Sequence, residues 1–135
     1  MTSPILALQS AIVAALNADA TLVSLLGGAK TFEHAPPTTN YPWIAFEQLS
    51  ARDFSASVYP GHEHRCSLIC VSRQPGTKEA LAIAERVVEI LQDAALSLDG
   101  HRLINLQTTN VEIIRAGKEP TRKARVSLRV VTEII

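Results

Sequence analysis

The stretch GHEHRCSLICVSRQPG runs from Gly61 to Gly76 and places two histidines and two cysteines within ten positions. It is a metal site, a redox pair, or a buried strand that uses cysteine, and the choice decides the fold. A strand rises ~3.3 Å per residue and alternates faces. His62, His64, Cys66, Leu68 and Cys70 share a parity, so Cys66 and Cys70 fall ~13 Å apart along a strand. A disulfide needs Cα atoms within ~7 Å, and a shared zinc needs sulfur bonds of ~2.3 Å. His64 and Cys66 alone would need two more ligands, and His34 and His101 are distant in sequence. Neither CxxC nor HExxH spacing occurs. The stretch therefore reads as a strand from Arg65 to Arg73. Cys66, Leu68 and Cys70 are its small apolar core residues, and His62 and His64 lie in water near its loop end. No bound metal and no disulfide are predicted.

Working outward, Gln74-Pro75-Gly76 is a turn, and Thr77 caps a helix that runs to about Ala95. Its apolar stripe is Leu81, Ala84, Val88 and Leu91, with Glu85, Arg86, Glu89 and Gln92 off it. Upstream, Trp43 to Leu49 is a strand, with Trp43 and Phe46 read as core. Between the two strands, Ser50 to Gly61 is polar and serine-rich, long for a simple turn, and reads as a protruding loop or hairpin arm. Such a segment, poor in core residues, is expected to be poorly ordered alone and ordered in an assembly. The proline-containing APPTTNYP is a loop, preceded by a short strand near Thr31 to His34.

At the start, Ser3 is an N-cap and Pro4 occupies the first helical position. Ile5, Leu8, Ile12, Ala15 and Leu16 follow a helical period. Asp19 caps a second short helix with Leu22, Leu25 and Leu26, and Gly27-Gly28 ends it. Downstream, Asp99-Gly100 signals a hairpin turn, and strand sequence continues to Ile114. After a basic loop, Ala124, Val126, Leu128 and Val130 alternate with Arg125, Ser127 and Arg129 in a half-buried strand. The order helix–helix–strand–strand–strand–helix–strand–strand predicts one α+β domain over residues 1–135. Its mostly antiparallel sheet has helices packed on one face.

The 135 residues suit one domain, large enough to fold without a staple. At 47% hydrophobic, 19% charged and zero formal net charge, the composition is globular, and the chain as a whole is not a polyanion binder. The N-terminal decapeptide lacks the basic region of a signal peptide, and no apolar run approaches ~18 residues. The two cysteines are read as free thiols in a reducing compartment. Charge is uneven. Arg115, Lys118, Arg122, Lys123, Arg125 and Arg129 face one acid, Glu119, over fifteen positions, while the rest of the chain is acidic. That pattern suits complementary contacts between copies.

Catalytic motifs are missing. Gly117-Lys118 lacks the glycine and hydroxyl residue of a phosphate loop. No GxGxxG follows a strand, and there is no GxSxG. Asp53, Glu63, Asp93 and Asp99 read as solvated or turn residues. The few aromatics argue against a stacking platform for single-stranded nucleic acid. Phe54 and Tyr59, aromatic in a polar loop, either bury themselves on assembly or tuck onto their own domain. The rival functions are a nucleic-acid module using its basic end and a small enzyme of unknown type.

Three segments carry a resemblance: ALQSAIVAALNADATLVSLLGG, TFEHAPPTTNYPWIAFEQ, and GHEHRCSLICVSRQPGTKEALAIAERVVEILQDAALSLDGHRLINLQ. In order and spacing they resemble the small tail-completion proteins, also called tail terminators or tail-to-head joining proteins, of siphophages and gene transfer agents. The resemblance implies a structural, non-enzymatic virion protein with no cofactor, assembled in the bacterial cytoplasm and located in the tail. It implies a hexameric ring at the head-proximal end of the tail tube, which stops tube polymerisation and meets the head–tail connector or stopper. DNA passes through its lumen without sequence-specific binding, and no membrane is involved. The expected partner interface is Phe54, Tyr59, Arg115, Lys118, Arg122, Lys123, Arg125 and Arg129, meeting acidic residues of a neighbouring subunit or of the tube.

Overall fold

A computed structural model describes residues 3–36, 38–54, 60–92, 94–114 and 121–135. The elements follow the predicted order: helices α1 (Pro4–Asn17) and α2 (Ala20–Leu26), strands β1 (Thr31–Phe32), β2 (Trp43–Asp53) and β3 (Gly61–Ser72), helix α3 (Lys78–Gln92), then strands β4 (His101–Ile114) and β5 (Arg122–Ile134). The five strands form one sheet in the order β1-β2-β3-β5-β4. Among the described residues, only the two-residue β1 runs parallel to its neighbour; the other strand pairings are antiparallel. This is an α+β domain.

Local chemistry sets the element ends. Ser3 Oγ accepts from the Leu6 N–H at 3.5 Å, and Pro4 opens α1 where a missing N–H costs nothing. Asp19 Oδ2 accepts from the Leu22 N–H at 2.9 Å, capping α2. Gly27 closes α2 with φ 75°, a left-handed conformation that suits glycine. The Gly28 N–H then reaches the Val23 carbonyl at 2.9 Å. The same Asp19 carboxylate receives a two-point contact from Arg86 of α3, Nη2–Oδ1 2.8 Å and Nε–Oδ2 3.0 Å, so one side chain caps one helix and holds another. Asn17 pairs with both backbone groups of Thr31 at 3.2 Å, tying α1 to β1.

The core lies between the helices and one sheet face. Leu8, Ile12, Leu16, Leu22 and Leu26 come from α1 and α2. Cys66, Leu68 and Cys70 come from β3, and Ala124, Val126, Leu128 and Val130 from β5. The α3 stripe is Ala80, Ile83, Ala84, Val87 and Leu91, which includes the expected Ala84 and Leu91 but not Leu81 and Val88. Leu81 and Val88 are each one position off because Ala80 and Val87 fit the same apolar row. The sheet, not propensity, selects the row. The helix also ends at Gln92, short of the expected Ala95.

Strands β2 and β3 are longer than predicted. Ser50 to Asp53 pairs with Arg65 to His62, so polar residues continue the ladder, which is the hairpin arm of the two expected alternatives. The Phe54 N–H donates to the Gly61 carbonyl at 2.9 Å beyond the last pair. Gly61 is glycine for a steric reason. A Cβ there would lie 2.7 Å from the Thr132 carbonyl oxygen and 3.2 Å from that of Phe54. Tyr59 falls outside the described residues.

Candidate assembly surface

The sheet face without helices is the candidate site. Antiparallel pairing aligns Arg125 of β5 with Ile69 of β3 and Glu112 of β4, and Arg129 with Arg65 and Gln107. Residues from four strands thereby meet in two ionic clusters.

In the first, Arg125 sits between two carboxylates. Its Nε and Nη2 grip Glu47, the latter at 2.9 Å from Oε2, and its Nη1 reaches Glu112 Oε1 at 2.6 Å. Ser67 Oγ donates to Glu47 at 3.3 Å. The Arg125 guanidinium holds the Glu47 carboxyl below the usual range, and the two carboxylates push Arg125 further up. In the second, Glu63 is the hub. Arg52 Nε and Arg129 Nε each lie 2.6 Å from one of its oxygens, with Arg65 Nη2 at 3.9 Å. Glu63 is only 4% exposed, and its hydrogen bond from Arg52, followed by that from Arg129, keeps its pKa low. Predicted as a solvated residue, Glu63 is instead a buried anion saturated by arginines. Its partners come from positions 52 and 129, a register that no local pattern discloses.

Beside the ionic clusters lies an apolar hollow of about 440 Å³, lined by Tyr41, Trp43, Ala45, Ile69 and Val71 with Lys123 at its rim. Arg73 stacks over the Tyr41 ring at 5.1 Å. Trp43 and Phe46, expected as core, are both half-buried: Trp43 faces this hollow, while Phe46 packs against the edge of the core.

Of the residues expected at an interface, Phe54 is 40% exposed and packs against the Arg129 guanidinium at 5.6 Å. Arg122 and Lys123 open β5 and are half-buried. Arg125 and Arg129 are engaged within their own chain, as above. Tyr59, Arg115 and Lys118 lie outside the described residues.

The core side holds the two cysteines, both free and buried. Burial pushes both thiols up to about 12. His64, expected in water, is 1% exposed. Its Nε2 shares a hydrogen bond with Thr132 Oγ1 at 3.0 Å, and its ring centroid lies 6.3 Å from that of His62. Burial, then the nearby His62 and His101, lowers its pKa to about 4. Among the described residues, no group of three His, Cys, Asp or Glu side chains is placed to hold a metal ion.

The family model described as tail completion protein gp17 matches residues 10–133 of the chain. A solved chain from the virion of a native gene transfer agent particle superposes with a TM-score of 0.87 at 25% identity, covering 98% of this chain and 99% of that one. The structure of bacteriophage SPP1 gp17 protein superposes with a TM-score of 0.61 at 20% identity, covering 92% and 87%, a likeness of fold. No curated protein matches the sequence significantly.

Proposed function

The chain belongs to the tail completion protein gp17 family, and from that premise we propose that it forms a ring at the head-proximal end of a phage-like tail. It is a structural virion protein rather than an enzyme. In this reading the ring ends tail-tube polymerisation and joins the tube to the head connector or stopper, with six copies around a lumen that passes DNA. The observation that carries the reading is the family match from residue 10 to residue 133.

The surface described above supports it. Cyclic contacts are heterologous, so each subunit needs two different complementary patches. The charge pattern provides them: a basic segment reaching into β5, and an acidic remainder. Arg125 and Arg129 are committed within the chain to Glu47, Glu112 and Glu63, and the reading assigns the partner contact to Arg115, Lys118, Arg122 and Lys123, with Phe54 and Tyr59 as its apolar residues. A lumen lined by these cations would hold phosphates and slow DNA, so the segment faces protein.

The test is imaging of the purified chain with and without its tail-tube protein, with mass measured at low and high concentration. Six-fold rings capping tubes of finite length are expected. Tubes of unchanged length bearing no cap would refute the proposal, and binding to free DNA without rings would point to a nucleic-acid module.

A further inference from the structure

The sheet has two open edges, and they differ in kind. At one end, β4 is a fourteen-residue edge strand. Its only charges are Arg102 and Glu112 near its two ends, and it holds no lysine, proline or glycine. Natural edges are usually blunted by such residues, because unpaired N–H and C=O groups template another strand. Ile104 and Val111 on it are 49% and 38% exposed. At the other end, β1 covers only Ile44 and Ala45 of β2. From Phe46 to Arg52 the outer side of β2 has no strand partner among the described residues.

We infer that these two edges pair between copies: β4 of one subunit adds, antiparallel, to the Gln48–Arg52 stretch of β2 in the next. The inference rests on the ring reading above and names its joint. Strand direction supports it. Successive antiparallel pairings β2–β3, β3–β5 and β5–β4 leave β4 opposed to β2. A rotated copy set beside β4 therefore presents its β2 antiparallel, which needs no inversion of the subunit. Two unlike edges joined this way give the head-to-tail contact that a ring requires.

The flank of β4 is also shaped for a neighbour. Strand addition uses main-chain bonds for affinity and pockets for specificity. On the helix side, β4 borders two open hollows of about 560 and 790 Å³. Val88, Gln92, Leu106 and Thr108 line the first, and the Thr108 Oγ1 there is buried with no hydrogen-bond partner among the described residues. At the opposite end of the sheet, α1 contacts β1 and β2 and exposes Leu6 at 48%. Apolar surface thus projects at the β2 end and is missing at the β4 end. Register shifts at Leu103/Asn105 and Thr108/Asn110 bend β4, the device by which sheets curve toward closure.

Ile104 and Thr109 sit in those shifts and have no Cα partner on β5; lysine at both gives up only the exposed bond from the Thr109 hydroxyl to the Ser127 carbonyl at 3.2 Å and should spare the fold while blocking the edge. The I104K/T109K variant is expected to keep its melting temperature within a few degrees and to lose at least tenfold of the assembled rings. In parallel, S50C/Q107C treated with a short bifunctional thiol reagent should give a covalent ladder up to the full ring. Cys66 and Cys70 are too buried to interfere. Rings that persist in the folded lysine variant would overturn the edge inference while leaving the ring intact. Equal cross-linking of Q107C alone would overturn it in favour of a β4–β4 dimer. A wild-type chain that never forms rings would remove both readings.

Discussion

The two faces of strands β3 and β5 share a backbone and a register yet are built from opposite materials. On the helix side, Cys66, Leu68, Cys70, Val126, Leu128 and Val130 are all at most 4% exposed and none carries a charge. On the other side, Glu63, Arg65, Arg125 and Arg129 join Arg52, Glu47 and Glu112 in ionic clusters. The difference separates two tasks. Apolar burial at about 25 cal/mol per Å² makes the first face the source of stability. The pairs of Arg125 with Glu47 and Glu112 lie near the surface and contribute little to folding, a median of about 0–1 kcal/mol each, whereas Glu63, 4% exposed, depends on its arginines because losing one leaves a buried charge unmatched. With folding supplied by one face, the other face and the sheet edges are available to the assembly proposed above.

The largest expected effect tests the apolar face directly. Leu128 is 1% exposed and packed into the core. Leu128→Ala should cost about 2–5 kcal/mol in denaturant unfolding, transfer term and cavity together. A cost under about 1 kcal/mol would mean that the helix layer collapses freely onto the sheet, and the contrast between the faces would fail.

The next effect sharpens the contrast, because His64 is a polar group on the apolar side. Its folded pKa is lowered to about 4 from an ordinary 6.5, so the unfolded chain binds its proton first. The stability that the neutral ring supplies is complete above pH 6.5 and is lost as pH falls toward 4. The total loss is about 3 kcal/mol by linkage. His62 on β3, His101 on β4 and Thr132 on β5 are the polar groups that face it, and charging either histidine adds repulsion. Glu47 and Glu63, held low by arginines, lose their contribution only as pH falls through and below the ordinary carboxylate range, about 4.3. Unfolding free energy measured from pH 7.5 to 4.5 should therefore decline in wild type and flatten in His64→Gln. An unchanged slope in the variant would assign the pH dependence to other groups.

Most of the architecture was legible in the sequence because it is written in local signals. Ser3-Pro4, Asp19, Gly27-Gly28 and Asp99-Gly100 mark element ends within a few residues. The alternation from Ala124 to Val130 identifies the inner face of β5 correctly. The misread residues, by contrast, depend on pairing at long range. Glu63 and His64 looked like residues at the mouth of a loop. They are buried because β5, 66 and 68 positions later, lies beside them. The cations show the same dependence on register: Arg125, named for a partner contact, is held within its own chain by Glu47, 78 positions away. Composition reveals that charges exist, while register decides which are already matched within the chain.

That distinction sets the smallest effect on stability and the most informative one on assembly. Lys118, Arg122 and Lys123, changed together to Glu, alter the end of the basic segment that leaves the Arg125 and Arg129 clusters in place. Lys123 does help hold the Glu47 carboxyl low, so its reversal weakens that anion slightly. Surface changes of this kind usually fall within ±0.5 kcal/mol, and the melting temperature should stay close to wild type. If the segment meets acidic residues of a neighbour or of the tube, three reversed charges turn attraction into repulsion across the contact. Rings or completed tails should then be lost in a folded protein. Normal assembly with altered DNA delivery would instead place the segment at the lumen. No change in either would make it a solvated face, and the assembly role would then rest on the sheet edges alone.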